Sequence, residues 1–244
     1  MKNNEMIERM KGGLIVSCQV QLDDPIYTEV THIIMAKAAK WAGAVGIRAN
    51  SPKQIKDIKE VVDLPIIGLF KQWSDNSDVF ITPTMQAVDE IVQAGADIIA
   101  LDCTFQLNKE GIQAIELLPK VREKYPKIPI FADVSNEEEA RMAIAFGADI
   151  VAPTLYGYTK ETAHIEGADY RMFAEFCRQF KDIVYVMMEG HVYTPEDAMK
   201  CIFLGAHSVV VGSAITRPHL IAKRFVDMLG GYQDNWRVAE KAKH

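Results

Sequence analysis

The chain has 244 residues, 49% of them hydrophobic and 25% charged, with a formal net charge of −6. That composition excludes disordered, collagen-like and low-complexity classes, and without a basic excess there is no electrostatic footprint for nucleic acid, only room for a small phosphate site. No stretch approaches the roughly 18 continuous apolar residues of a membrane span, and four cysteines without a C-x-x-C pair are expected as reduced thiols in a cytoplasmic protein.

Residues 1–11 are polar and carry no apolar run, so they read as a helical extension rather than a signal peptide. The run 14–19, ending on Gln19, is the first of eight short apolar segments rich in β-branched residues. A helical-period segment follows and stops at Trp41-Ala42-Gly43-Ala44, where glycine supplies the left-handed residue that ends a helix. The second run, 44–48, ends on Arg48, and Ser51-Pro52 then sets a capping hydroxyl before a proline at the first helical position. The third, 65–71, ends on Lys71; Thr82-Pro83 predicts the next helix start and Gln93-Ala94-Gly95-Ala96 its stop. Run 97–102 ends on Asp102 and run 129–133 on Asp133. Ser135-Asn136-Glu137-Glu138 reads as a capping box in which Glu138 reaches back to the cap amide, and that helix stops at Ala145-Phe146-Gly147-Ala148. Run 149–154 ends on Thr154 and run 183–189 on Glu189. Thr194-Pro195 starts a helix that Phe203-Leu204-Gly205-Ala206 closes, and the last run, 208–212, ends on Gly212.

Near-continuous apolar character says that both faces of each run are buried, as in a parallel sheet. Eight runs leave about 30 residues per unit, the size of one strand with its crossover helix. The stop glycines repeat as well: from 43 to 95 and from 95 to 147 is 52 residues each, and from 147 to 205 is 58, close to two such units apiece. Gly167 fits neither that period nor a helix end. A doubly wound open sheet would use the same stops, but it needs edge strands, and none of the runs is polar enough for one. The expectation is one domain over residues 1–244, an α/β fold of the (β/α)8 TIM-barrel class.

All strand C-termini of such a barrel meet at one face, where the active sites of this fold are built. The run ends would place an amide, a guanidinium, an ammonium, carboxylates and a hydroxyl around one rim. After the last run, Gly212-Ser213 opens what reads as a short helix leading to Arg217-Pro218. In barrels the loops after strands seven and eight, with that helix's N-terminus, commonly hold a phosphate. Gly190 after the seventh run allows the same close approach, and Arg217 either adds a charge-assisted contact or caps the helix C-terminus.

No G-x-G-x-x-G follows the first run, which leaves a dinucleotide site unsupported. The six histidines show no H-x-x-x-H or H-E-x-x-H spacing, against a zinc hydrolase. Asp102, Asp133 and Glu189 have the chemistry for magnesium, but Arg48 and Lys71 already supply positive charge beside them, so no metal is expected. A lysine at a strand end among carboxylates suits a general base acting on a C–H beside a carbonyl, or a Schiff-base nucleophile. Both need the neutral amine, which burial and Arg48 favour and Asp133 and Glu189 oppose. A third reading makes Lys71 only an ion-pair partner for one of them.

Several segments resemble the bacterial N-acetylmannosamine-6-phosphate 2-epimerase family. They are Gly13-Leu14-Ile15-Val16-Ser17-Cys18-Gln19, Gly46-Ile47-Arg48-Ala49-Asn50, Leu64-Pro65-Ile66-Ile67-Gly68 and Ile81-Thr82-Pro83-Thr84 in the first half. Ala100-Leu101-Asp102, Ala132-Asp133, Thr154-Leu155-Tyr156-Gly157-Tyr158-Thr159, Glu189-Gly190 and Ala214-Ile215-Thr216-Arg217-Pro218 continue in order, so the likeness spans about residues 12–228. The resemblance implies a cofactor-independent isomerase of sialic-acid and amino-sugar catabolism. It would act on a small-molecule sugar phosphate, interconverting N-acetylmannosamine 6-phosphate and N-acetylglucosamine 6-phosphate by proton abstraction beside the open-chain carbonyl. It assigns catalysis to Lys71 and Glu189, sugar contacts to Gln19, Arg48, Asp133 and Arg217, and the phosphate cradle to Gly190, Gly212 and Ser213. It also implies a homodimer, and the apolar face of Phe173, Phe176 and Phe180 suits either a subunit interface or the barrel wall. Two other functions compete: a Schiff-base lyase or synthase on a sugar phosphate, and a barrel that binds such a sugar without turning it over. The chain departs from the family pattern at Gln72-Trp73-Ser74, at residues 103–108, at His191 and at Ser213; neutral His191 would weaken a phosphate contact near pH 7.

Overall fold

Every one of the eight apolar runs forms a strand, because a run with no polar face is stable only where both faces are covered. The computed structural model describes residues 4–75, 77–165 and 167–241, with side chains described to residue 231. The strands are β1 (Leu14–Ser17), β2 (Gly46–Asn50), β3 (Ile66–Leu69) and β4 (Ile98–Asp102), then β5 (Ile130–Asp133), β6 (Ile150–Ala152), β7 (Tyr185–Glu189) and β8 (Ser208–Val211). All neighbours pair in parallel, and β8 returns to β1 through the register Leu14↔Val209, so the sheet is a closed barrel without an edge.

Helices alternate with the strands: α2 (Thr31–Trp41), α3 (Pro52–Lys59), α4 (Met85–Gln93), α5 (Leu117–Lys124), α6 (Glu137–Ala145), α7 (Tyr170–Phe180) and α8 (Pro195–Leu204). A short α9 (Ser213–Thr216) and a long α10 (Pro218–Lys241) follow β8. The four periodic glycines end α2, α4, α6 and α8, every second helix, all with positive φ. At Gly205 the left-handed φ of 115° coincides with crowding, since a Cβ would sit 3.3 Å from Cys177 Cβ. Gly167 precedes α7 and ends no helix. Among the described residues no helix is long and apolar enough to cross a membrane.

Strand residues alternate between two cores. Ile15, Ile67, Ala100, Phe131, Ile150, Met187 and Val210 fill the barrel interior. Val16, Ile47, Leu101, Ala132, Val151 and Val209 face outward to the helices. Phe173, Phe176 and Phe180 are buried in that outer layer, so they build the barrel wall rather than an interface. Within the N-terminal extension a helix α1 (Glu5–Glu8) forms, capped by Asn4, while residues 1–3 lie outside the described residues. Ile7 and Met10 join the interior core, and His207 Nε2 lies 2.8 Å from the Ile7 carbonyl, so this segment plugs the barrel.

Two predicted helix starts are displaced. The helix after β3 begins at Met85 and is capped by Thr84 rather than Thr82. Thr82 is occupied elsewhere: its Oγ1 accepts from the Phe70 amide at 3.0 Å while its own N–H donates to the Phe70 carbonyl. The cap of α6 is Asn136, not Ser135, and the glutamate that reaches back is Glu139 rather than Glu138. Glu139 accepts from the Ser135 amide and from the Phe105 amide, and so ties the β5 exit to the β4 exit. That second tie selects the residue whose side chain points inward.

Replacing Phe173 by alanine empties a fully buried site and is expected to cost about 3–5 kcal/mol in urea unfolding. Trp41→Ala, at a side chain 91% exposed, should change stability by less than about 0.5 kcal/mol.

Candidate active site

Strand parity decides which run ends can meet. Gln19, Arg48, Lys71, Asp102, Asp133, Thr154, Glu189 and Gly212 each lie an even number of residues from an interior-facing position of their strand. Gln19, Lys71 and Thr154 stand two positions beyond the hydrogen-bonded strand, yet keep that inward parity.

Arg48 on β2 is the largest polar side chain in the interior and is fully buried. Its guanidinium grips Asp133 of β5 with two bonds, Nη1 to Oδ1 at 3.0 Å and Nη2 to Oδ2 at 2.7 Å. Nη1 also donates to Glu189 Oε2 from β7, and the guanidinium carbon lies 4.8 Å from the centre of the Phe131 ring. Thr154 Oγ1 donates to the same Asp133 Oδ1. Burial works against the charge on Arg48, but Asp133 and Glu189 more than offset it and hold the guanidinium above its ordinary value.

Lys71 is held through its backbone. Its N–H donates to Asn50 Oδ1 at 2.8 Å, and it bridges antiparallel to Ile81, so the β3 exit folds back on itself. The Lys71 side chain forms no ion pair among the described residues, which sets aside the reading of it as a structural salt-bridge partner. Burial, then the nearby charge of Arg48, bring its amine down to about 8; Glu189 and Asp133 oppose this and Arg217 assists it. Glu189 moves the other way. Burial above all, with the neighbouring Asp133 carboxylate, pushes it up to about 7 against the pull of Arg48 and Lys71.

A cavity of about 390 Å³ opens above this floor, lined by Gln19, Arg48, Lys71, Glu189, Gly190, Gly212, Ser213 and Arg217 among others. Asp133 does not line it: the carboxylate is fully buried beneath and spends both oxygens on Arg48 and Thr154. Gln19 Nε2 donates to Ser17 Oγ at 2.9 Å, leaving Oε1 buried with no partner among the described residues. At Gly190, with φ 94°, an added Cβ would lie 3.4 Å from the Thr154 carbonyl, and at Gly212 one would lie 3.3 Å from Ser17 Cβ. Both turns therefore bring bare backbone to the cavity wall. Arg217 lies along the same wall, with Nη2 3.9 Å from Asp24 Oδ2, rather than folding back over the carbonyls of α9.

Asp102 stands in register with Asp133 but is withdrawn from the cavity, its Oδ1 taken by the amide and hydroxyl of Thr104. Among the described residues no group of three or more His, Cys, Asp or Glu side chains is arranged to hold a metal ion. His191, with φ 56°, stacks on Tyr158 and places Nε2 3.2 Å from the Tyr156 carbonyl. Trp73, noted in the sequence as a departure, and Tyr158, part of a family-like block, stand on the rim without having been read as site residues; Phe80 and the tether Asp24 escaped the sequence reading altogether. They stand in loops with no periodicity, and only the excess of aromatics after run ends could have drawn notice.

The chain and its fold have close counterparts. Residues 32–230 match the family model described as "Putative N-acetylmannosamine-6-phosphate epimerase". A protein of Caldanaerobacter subterraneus named "Putative N-acetylmannosamine-6-phosphate 2-epimerase" is 43% identical over 225 residues, 92% of this chain and 94% of the relative. One of the same name from Listeria welshimeri is 45% identical over 226 residues, 92% and 95% of the two chains. The solved N-acetylmannosamine-6-phosphate 2-epimerase from Clostridium perfringens superposes with a TM-score of 0.85 at 39% identity, covering 93% of this chain and 98% of that one. A thiamine phosphate pyrophosphorylase from Pyrococcus furiosus, 16% identical with a TM-score of 0.59 over 87% of this chain and 90% of its own, shares the fold.

Because Asp133 holds a buried guanidinium, Asp133→Ala is expected to cost about 3–5 kcal/mol by leaving Arg48 short of a counter-charge. Thr154→Val removes one hydrogen bond to the same carboxylate and should cost about 1 kcal/mol in the same urea titration.

Proposed function

The chain belongs to the N-acetylmannosamine-6-phosphate epimerase family, and from that premise we propose that it inverts C2 of N-acetylmannosamine 6-phosphate to give N-acetylglucosamine 6-phosphate. The observation that carries the reading is Lys71: an amine with no ion-pair partner among the described residues, brought down to about 8, in one cavity with Glu189 and two glycine turns. A base for carbon acids must be neutral near the working pH, and a paired lysine would not be.

In this reading the phosphate sits against the backbone of Gly190, Gly212 and Ser213 with Arg217 as counter-charge, and its binding orients the open-chain sugar. Gln19, on the cavity wall, supplies a polar contact. Lys71 removes the C2 proton beside the C1 carbonyl. The electron pair moves onto O1, where the Arg48 guanidinium and protonated Glu189 meet the developing charge. Glu189 then returns a proton to the opposite face of C2, leaving Lys71 protonated and Glu189 ionised until both exchange with solvent. Asp133 acts through Arg48, which it fixes and keeps charged. The whole chain would serve as one domain. We further place the protein in the cytoplasm, consistent with four free, buried cysteines, and as a homodimer. Exposed apolar side chains on α2 (Ile34), α8 (Phe203) and α10 (Phe225, Met228) support the dimer.

N-acetylmannosamine 6-phosphate incubated with the protein in deuterated water is expected to yield N-acetylglucosamine 6-phosphate carrying deuterium at C2 by NMR. Lys71→Met should lose both turnover and exchange by at least about 10³-fold; continued C2 exchange would remove Lys71 as the base. Borohydride trapping of the sugar on Lys71 would instead favour the Schiff-base lyase.

The same assignment fixes a pH profile. Catalysis needs Lys71 neutral, which develops as pH rises through about 8, and Glu189 protonated, which is lost as pH rises through about 7. The profile of kcat/KM should therefore be a narrow bell with its maximum between those values, the two limbs belonging to the interacting pair. Glu189→Gln should lower epimerisation by at least about 10²-fold, and its residual rate should lack the high-pH limb. Sedimentation of the wild type should report twice the chain mass, and the pair Phe225→Glu with Met228→Glu should halve it.

A further inference from the structure

The β3 exit folds back as a short antiparallel pair. Lys71 bridges Ile81, the Gln72 N–H donates to the Phe80 carbonyl at 2.9 Å, and the Thr82 N–H donates to the Phe70 carbonyl at 3.0 Å. That pairing sets an aromatic ring beside the lysine: Lys71 Nζ stands over the Phe80 ring, 5.9 Å from its centre. Trp73 stacks on the same ring, with centres 4.1 Å and planes 16° apart, and braces it. Lys71, Trp73 and Phe80 all line the catalytic cavity. The charged groups that face the amine are Arg48 of β2, Asp133 of β5, Glu189 of β7 and Arg217 beyond α9, and Arg48 already binds both carboxylates.

We propose that Phe80 is a positioning residue for Lys71, its π face holding the ammonium that forms when the amine takes the C2 proton. The inference rests on the epimerase reading of this cavity. In that step the C2–H bond breaks, the proton goes to Nζ and the electron pair to O1, so a full positive charge appears at Nζ. Burial disfavours that charge, and so does the guanidinium nearby. A free carboxylate would stabilise it too well, because the lysine would then be charged before substrate arrives. An aromatic face attracts a cation within about 6 Å through its quadrupole, more weakly than an ion pair, and offers the proton no acceptor. It therefore eases the charged state without abolishing the neutral one, and holds the charged nitrogen in one place.

The test follows the amine itself. In protein labelled with carbon-13 at lysine Cε, the Lys71 resonance is the one missing from Lys71→Met, and its titration midpoint in the wild type should be about 8. Phe80→Leu removes the π face but also alters packing, so the deciding variant carries trifluorophenylalanine in place of Phe80. That ring keeps the bulk and burial while its face loses negative charge. Its Lys71 midpoint should fall by about 0.5 pH unit, whereas Phe80→Tyr should stay within about 0.2 unit of the wild type. The kcat/KM bell of the fluorinated protein should narrow by the same amount, as the Lys71 midpoint approaches that of Glu189. An unmoved midpoint in the fluorinated protein would overturn the inference and leave the epimerase intact. A midpoint that falls while the bell keeps its width would also overturn it, since the amine so tuned would not be the base. No wild-type turnover of N-acetylmannosamine 6-phosphate would remove the epimerase reading and this inference together.

Discussion

One guanidinium facing two carboxylates is the constraint around which the rim is organised. Arg48, Asp133 and Glu189 come from β2, β5 and β7, three strands that do not neighbour one another in the barrel. Their meeting is possible only because the sheet closes and each side chain has inward parity. Buried charge of this kind adds little net stability, since desolvation cancels much of the attraction, but it is costly to break. The Phe131 ring beneath and the Thr154 hydroxyl beside complete the housing, so the guanidinium is presented to the cavity in one orientation.

That arrangement also sets the state of Lys71. A lysine in a pocket with two carboxylates would ordinarily capture one of them and stay charged. Here Arg48 takes both, and at Lys71 burial and the positive field of the guanidinium outweigh the opposing pull of Glu189 and Asp133. A permanently charged arginine thus frees the amine to be neutral and keeps Glu189 within reach of a proton. Position is settled separately. Asn50 and the Ile81 bridge hold the Lys71 backbone, and Thr82 holds Phe70 just before it. The backbone that carries Lys71 is therefore tied to its neighbours on both sides.

Much of this was legible from local pattern. The eight runs become eight strands, and the glycines at 43, 95, 147 and 205 end alternate helices, because apolar continuity and left-handed glycine are short-range signals that tertiary structure seldom overrules. Where the reading slipped, a long-range bond had claimed the residue. Thr82 serves Phe70 instead of capping a helix, and Glu139 displaces Glu138 because it also reaches the Phe105 amide. Nothing in the neighbouring letters announces such partners. The place of Phe80 on the rim beside Trp73 and Tyr158 was out of reach for the same reason.

The strands, their order and the identity of the residues at their ends are therefore written in the chain itself, since each depends on periodicity and punctuation within about 30 residues, and closure follows from the lack of any polar edge run among the eight. What each end does is decided elsewhere. Asp102 and Asp133 end adjacent strands with the same letter, yet one is bound to its own Thr104 while the other holds Arg48 from across the barrel. Protonation follows distance and burial, which are properties of the packed interior, so the division of labour between like residues arises only once the barrel has closed.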